Sequence, residues 1–151
     1  MSNPSISGPG DGFRGPKNWD ERMTNNSGAA YSKGDVVQID ESVVDSTTLA
    51  QTDIEDIDAT GAEMGTIGVC LEDIADGATG MVRFRGRVDA QTTGTPAVGT
   101  LLMADGLATA SNTLIVSAAT GKIVAKCIET GTTTPTLVIF DGVNGFGVDH
   151  A

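Results

Sequence analysis

Apolar positions along this chain fall into short runs separated by glycine- and threonine-rich turns, not into helical stripes. Val36 to Ile39, Thr66 to Leu71, Met81 to Val88, Leu101 to Ala104, Thr113 to Val116, Lys122 to Glu129 and Thr136 to Phe140 each read as a strand. Within Met81 to Val88, the residues Val82, Phe84 and Val88 alternate with Arg83, Arg85 and Arg87. That period of two sends the arginines to one face. No window carries a convincing 3.6-residue repeat, although the acidic stretch from Asp45 to Ala62 has room for a helical turn. The pattern predicts a mainly all-β domain, a small barrel or sandwich with few helices.

The strands also fall into two copies. Gly34-Asp35-Val36-Val37-Gln38-Ile39-Asp40 aligns with Gly99-Thr100-Leu101-Leu102-Met103-Ala104-Asp105, and Ile67-Gly68-Val69-Cys70-Leu71-Glu72 with Val124-Ala125-Lys126-Cys127-Ile128-Glu129. Met81-Val82-Arg83-Phe84-Arg85-Gly86 then aligns with Leu137-Val138-Ile139-Phe140-Asp141-Gly142. Two pseudo-repeated units, about 31–90 and 96–143, would close one domain over 31–143, with a glycine-spaced tail at 144–151. Residues 1–30 differ. They hold Pro4, Pro9 and Pro16 and a polar run from Thr24 to Gly28, a composition that does not fold alone. Yet Phe13 and Trp19, the chain's one tryptophan, sit there among Arg14, Lys17 and Arg22. That mixture suits an extended arm that orders on a partner better than an idle terminus.

Composition narrows the function. The net charge is -11, which argues against nucleic acid, since a phosphate-binding surface needs a basic excess. No apolar run approaches the ~20 residues that span a bilayer, and no basic-then-apolar leader opens the chain. A soluble product of cytosolic synthesis is expected. Between Asp35 and Asp76 there is no Lys or Arg, and Asp53, Glu55, Asp56 and Asp58 crowd one short segment. A solvated acidic loop and a surface for a basic partner both fit. So do two roles for Arg83, Arg85 and Arg87: guarding a strand against edge pairing, or meeting acids such as Asp53 to Asp58 of another subunit. Cys70 and Cys127 stand at matching places and suit core positions, though pseudo-symmetry would also allow a disulfide.

Catalytic chemistry finds little footing. Gly10-Asp11-Gly12-Phe13-Arg14-Gly15 has the spacing of a dinucleotide loop but lies between no strand and helix. Asp56-x-Asp58-x-Thr60-Gly61 begins like a calcium loop, but Ile67 stands where the bidentate carboxylate belongs. The single histidine, His150, sits one residue from the end of the sequence, where nothing would hold a general base still. The chain therefore reads as a non-enzyme with no metal or cofactor.

Ser32-Lys33-Gly34-Asp35-Val36-Val37, the run Gly68 to Gly77 and the strand ending Arg85-Gly86-Arg87-Val88 resemble the small capsid decoration, or cement, proteins of tailed bacteriophages. Pro96 to Leu102 and Thr120 to Val124 fit the same pattern, so the resemblance spans about Tyr31 to Val143. It implies a β-rich homotrimer on the outer surface of the capsid that clamps neighbouring copies of the major capsid protein. The arm residues Phe13, Arg14, Lys17, Trp19 and Arg22 would reach onto that surface. A virion-displayed module for carbohydrate or the host surface is the alternative, with Tyr31, Phe84, Phe140 and Phe146 as the aromatic residues available outside the arm.

Overall fold

The computed structural model describes residues 17–45, 47, 50–57, 65–104, 112–116, 121–129, 135–146 and 148–149. Every helix or strand among them is a strand: β1 (Trp19–Asn25), β2 (Val36–Ile39), β3 (Asp53–Glu55), β4 (Ile67–Cys70), β5 (Thr79–Ala90), β6 (Leu101–Ala104), β7 (Leu114–Val116), β8 (Gly121–Cys127), β9 (Thr136–Asp141) and β10 (Val148–Asp149). The pairing order is β1-β3-β2-β4-β5-β9-β8-β6-β7, and β1 also pairs with β5. The first five strands thus form a closed barrel. From β5 the sheet continues through β9, β8 and β6 to β7, and a single bridge between Thr92 and Leu114 brings β7 back to the chain just past β5.

The two copies seen in the sequence recur in the register. Val36 faces Val69 and Val37 faces Gly68; in the second unit Leu101 faces Lys126 and Leu102 faces Ala125, which are the aligned residues. Cys70 faces Val82 as Cys127 faces Val138. The turns match as well. Gly34 N donates to Cys70 O at 2.8 Å and Gly99 N to Cys127 O at 2.8 Å. Both glycines have positive φ, 93° and 86°, a conformation that a Cβ disfavours, and this is why glycine opens each copy. The units meet where β5 pairs with β9, and there Arg85 faces Asp141, its own counterpart. A local two-fold axis therefore passes through that pair.

Burial follows this layout. Val37, Cys70, Val82 and Phe84 fill the first barrel together with Met23, Tyr31, Ile54 and Ile74. Val36, Ile67 and Val69, on the other faces of β2 and β4, pack instead with Leu102, Val124, Val138 and Phe140. Strands β2 and β4 are thus covered on both sides and read as continuous apolar runs, whereas β5 and β9 alternate because one face stays open. Cys70 and Cys127 are both buried free thiols in separate cores, and so do not pair. Burial, helped by Asp35, pushes the Cys70 thiol up to about 12.

Three expectations change. The folded part begins at Trp19, not Tyr31: β1 lies within the expected arm and pairs along β5 from Trp19↔Arg85 to Thr24↔Thr79. It was hidden because only Met23 on it is a buried apolar residue, so its sequence shows no alternation. Likewise β3 lies inside the acidic excursion and runs parallel to β1, Thr24 facing Asp53. The expected tail also packs: β10 pairs with β8, and Phe146 N donates to Ile123 O at 2.7 Å.

Asn25 explains why the polar run after β1 is ordered. Fully buried, it donates from Nδ2 to Ala29 O (2.7 Å) and Ile74 O (3.0 Å), while Oδ1 accepts from Ser27 N (3.0 Å) and Ser27 Oγ (2.8 Å). Its amide group thus does the work of a turn's backbone. Asn25→Ala leaves the Ile74 carbonyl without this donor and opens a cavity. The expected cost is about 2–3 kcal/mol, read as a fall in Tm of roughly 5–10 °C; an unchanged Tm would show that the hub is dispensable.

The turn before β2 gives a prediction with pH. Burial raises the Asp35 carboxyl above its usual range, the Ser32 amide works against this, and Asp73 and Asp56 add to the rise. In the second copy Thr100 stands at this place. A folded-state pKa above the unfolded one means that ionised Asp35 opposes folding at neutral pH. The penalty disappears as pH falls through the folded value. Asp35→Asn keeps an oxygen for the Ser32 N–H (2.8 Å). It is expected to raise Tm at pH 7, with the advantage gone by about pH 3.5, near the unfolded pKa; a constant or inverted difference across that window would refute the assignment.

Candidate binding surfaces

One concavity lies at the mouth of the first barrel, at the end where β1 and β3 begin. Trp19, Glu21 and Met23 alternate along β1, so their side chains share one face. Arg22 on β1, Ile39 at the end of β2, Ala50, Gln51 and Thr52 before β3, Thr66 before β4 and Phe84 on β5 complete a cleft of about 470 Å³. Phe84, Met23 and Ile39 form an apolar floor, since Met23 and Phe84 belong to the barrel core and Ile39 packs against it. Trp19 stands at the rim, 42% exposed, its ring centroid 6.2 Å from that of Phe84 at an interplanar angle of 58°. The indole Nε1 donates to Glu21 Oε1 at 2.9 Å, which fixes the ring from its polar edge.

A second, acidic depression adjoins the mouth through Ile39 and is lined by Gln38, Asp40, Glu41, Ser42 and Glu55. On the outer surface, Lys33, Arg83, Arg87 and Asp89 border a shallow groove across β5. Asp35, Asp56 and Asp73 also gather near the turn before β2. There Tyr31 Oη donates to Asp56 Oδ1 (3.0 Å) and Lys33 N to Asp73 Oδ1 (2.8 Å). Among the described residues no group of three metal-ligating side chains converges as a metal site requires.

The residues singled out in the sequence are scattered by the fold. Phe13, Arg14 and Asp58 lie outside the described residues. Lys17 is exposed just ahead of β1, and Arg22 is exposed on β1 opposite Met81. Arg83, Arg85 and Arg87 share the outward face of β5, and the first two meet acids of their own chain. Arg83 grips Asp20 through Nε (2.7 Å) and Nη2 (2.9 Å), and its Nη1 donates to Arg87 O (2.6 Å). The Asp20 hydrogen bonds raise the Arg83 pKa against the opposing effect of burial. Arg85 Nε lies 3.4 Å from Asp141 Oδ2, within ion-pair range but outside hydrogen-bond geometry. Arg87 is exposed.

The acidic segment is less free than its composition suggests. Asp53 is buried and accepts from Asn26 and from Thr52 Oγ1 (2.9 Å). Glu55 accepts from Gln38 Nε2 at 2.7 Å, and Asp56 holds Tyr31. These carboxylates anchor strand β3 and the turn beyond it. Of the four aromatics considered for a sugar platform, Tyr31, Phe84 and Phe140 are buried and Phe146 is exposed. Glu21, Gln51 and Thr52 were missed altogether. The Trp-x-Glu-x-Met spacing from Trp19 to Met23 was the one signal that could have found the mouth.

No protein-family model matches the chain, nor does any curated protein. Among solved structures, the chain is similar to the N base of the head fibre protein gp8.5 of bacteriophage phi29. The likeness has a TM-score of 0.51 at 8% sequence identity and covers 87% of this chain and 99% of that one. At this identity the two share a fold.

Proposed function

We propose that this chain is a structural component of a phage virion, a decoration protein that sits on the outer surface of the capsid and performs no catalysis. The observation that carries the reading is the fold shared with the base of a phage head fibre over nearly all of that base. The motif resemblance to decoration proteins leads to the same place from the sequence. In this reading the barrel is a rigid platform, and the partner is the major capsid protein across a subunit boundary. Binding the assembled shell but not loose subunits stabilises the shell by mass action. A homotrimer multiplies modest single contacts through effective concentration. Arg87, exposed beside the internally paired Arg83, is the member of the ladder best placed to meet a neighbouring subunit. Phe13, Arg14 and Lys17 precede the barrel and are proposed as the arm that reaches the capsid, with Trp19 reassigned to the barrel itself.

Quantitative mass spectrometry of purified virions tests the placement. A copy number close to that of the major capsid protein is expected, whereas a few dozen copies would mark a fibre or spike and overturn the decoration role. The full-length triple variant Phe13→Ala, Arg14→Glu, Lys17→Glu is expected to bind isolated capsids about tenfold more weakly or worse, with an unchanged Tm. Undiminished binding would remove the arm from the contact.

A further inference from the structure

The mouth of the first barrel has a feature that a purely structural platform does not need. Its tryptophan is held at the edge of a preformed cleft, although the core below is already closed by Phe84 and Met23. We propose that this mouth is a binding site for a neutral carbohydrate, with one pyranose ring seated against the indole of Trp19.

The chemistry is specific to that ligand class. A pyranose offers a C–H face that packs on an aromatic plate and a rim of hydroxyls that need donors and acceptors. Here the plate is a half-exposed indole whose orientation is set twice, by the Nε1–Glu21 hydrogen bond and by the tilted contact with Phe84. A ring fixed before the ligand arrives gives up little entropy on binding. Around it stand the polar partners: the second Glu21 oxygen, the exposed Gln51 amide and the hydroxyls of Thr52 and Thr66. The volume of about 470 Å³ falls inside the roughly 300–1,000 Å³ of small-ligand sites. Charge then selects among sugars. Within the mouth Arg22 is offset by Glu21, and Asp40, Glu41 and Glu55 line the adjoining depression, so an acidic glycan gains no net attraction and a neutral one is favoured. A basic peptide would satisfy those acids. Arg22, which also lines the mouth, stands against such a peptide, however, and the floor beneath the indole is apolar.

Trp19 is the only tryptophan, so tryptophan emission excited beyond the absorption of Tyr31 reports on this mouth alone. Titration with maltohexaose, cellohexaose, mannohexaose and chitohexaose is expected to give a saturable emission change with at least one of them, half-complete near 0.1–1 mM, about the affinity of a small shallow site. Calorimetry with that sugar should show about a tenfold loss for Trp19→Ala and a several-fold loss for Gln51→Ala. Gln51 is exposed, so its substitution leaves the fold in place. Phe146→Ala, an exposed aromatic beyond β9, should bind like the parent. Three results would overturn the proposal: no saturable response to any of these sugars at about 10 mM, sugar binding undiminished in both Trp19→Ala and Gln51→Ala, or a response confined to a lysine-rich peptide. None of these outcomes bears on capsid attachment, which is proposed for Phe13, Arg14, Lys17 and Arg87.

Discussion

Strand β5 belongs to two cores at once, and the architecture follows from that sharing. Along its inward face Val82 and Phe84 fill the first barrel, while Val88 and Ala90 enter the second core. Between them lies Gly86, at φ 122°, with no room for a Cβ beside Asn18. One half of the strand must pair with β4 and β1, the other with β9. A strand bound to both units leaves no hinge between them. Its pseudo-symmetric partner position is equally tight: a Cβ on Gly142 would lie 1.7 Å from the carbonyl oxygen of Ile67. Backbone approaches backbone there, and no side-chain rearrangement can relieve that contact. The two units are therefore fused into one body by strand pairing and glycine packing at the local axis.

How much of this was legible follows from where the energy lies. The β2-β4-β5 and β6-β8-β9 trios were readable because their stability comes from aliphatic burial, which leaves apolar runs and alternation in the sequence. Their register was implicit in the repeat, since Gly34 and Gly99 take the same left-handed backbone and the same bond to a cysteine carbonyl. The strands that close the first barrel were not readable. Strand β1 contributes one buried apolar side chain, Met23, and β3 contributes Ile54; polar groups do the rest. Asn25 ties β1 to the chain around Ile74, Asp53 ties β3 to Asn26, and Arg83 ties β5 to Asp20. Such bonds join residues far apart in sequence, so no local pattern announces them. The same polar residues, read without partners, look like a disordered arm and an acidic loop.

The copies diverged where each unit meets something different. In the first, the outward residues of the last strand are Arg83 and Arg85; in the second their counterparts are Ile139 and Asp141. Arg85 and Asp141 face each other on the axis, so a position that an exact repeat would fill with two like charges holds an ion pair instead. Two identical charges opposed across a strand pair would repel. The divergence at this one position thus removes a conflict that the duplication itself would create.

That use of arginine bears on what the surface can offer a partner. The chain has nine lysines and arginines against twenty aspartates and glutamates. Arg83 and Arg85 are spent on Asp20 and Asp141, and Lys122 donates to the carbonyls of Gly142 and Val143. Exposed cations are found at Lys17, Arg22, Lys33, Arg87 and Lys126; Lys33 and Arg87 border one groove with Arg83, and Lys126 stands in the same cross-strand row as Arg87, with Ile139 between them. An acidic partner surface therefore finds its complement on the barrel in this one short row. Apolar contact carries no such constraint, and the exposed apolar groups among the described residues include Trp19 at the barrel mouth, Phe146 beyond β9 and aliphatics such as Val98 and Leu101. A tight complex built on the barrel alone would then rest on few anchors. For the proposed virion role this favours attachment shared among copies or supplemented by the residues ahead of β1, an arrangement in which the mouth is free for the proposed sugar.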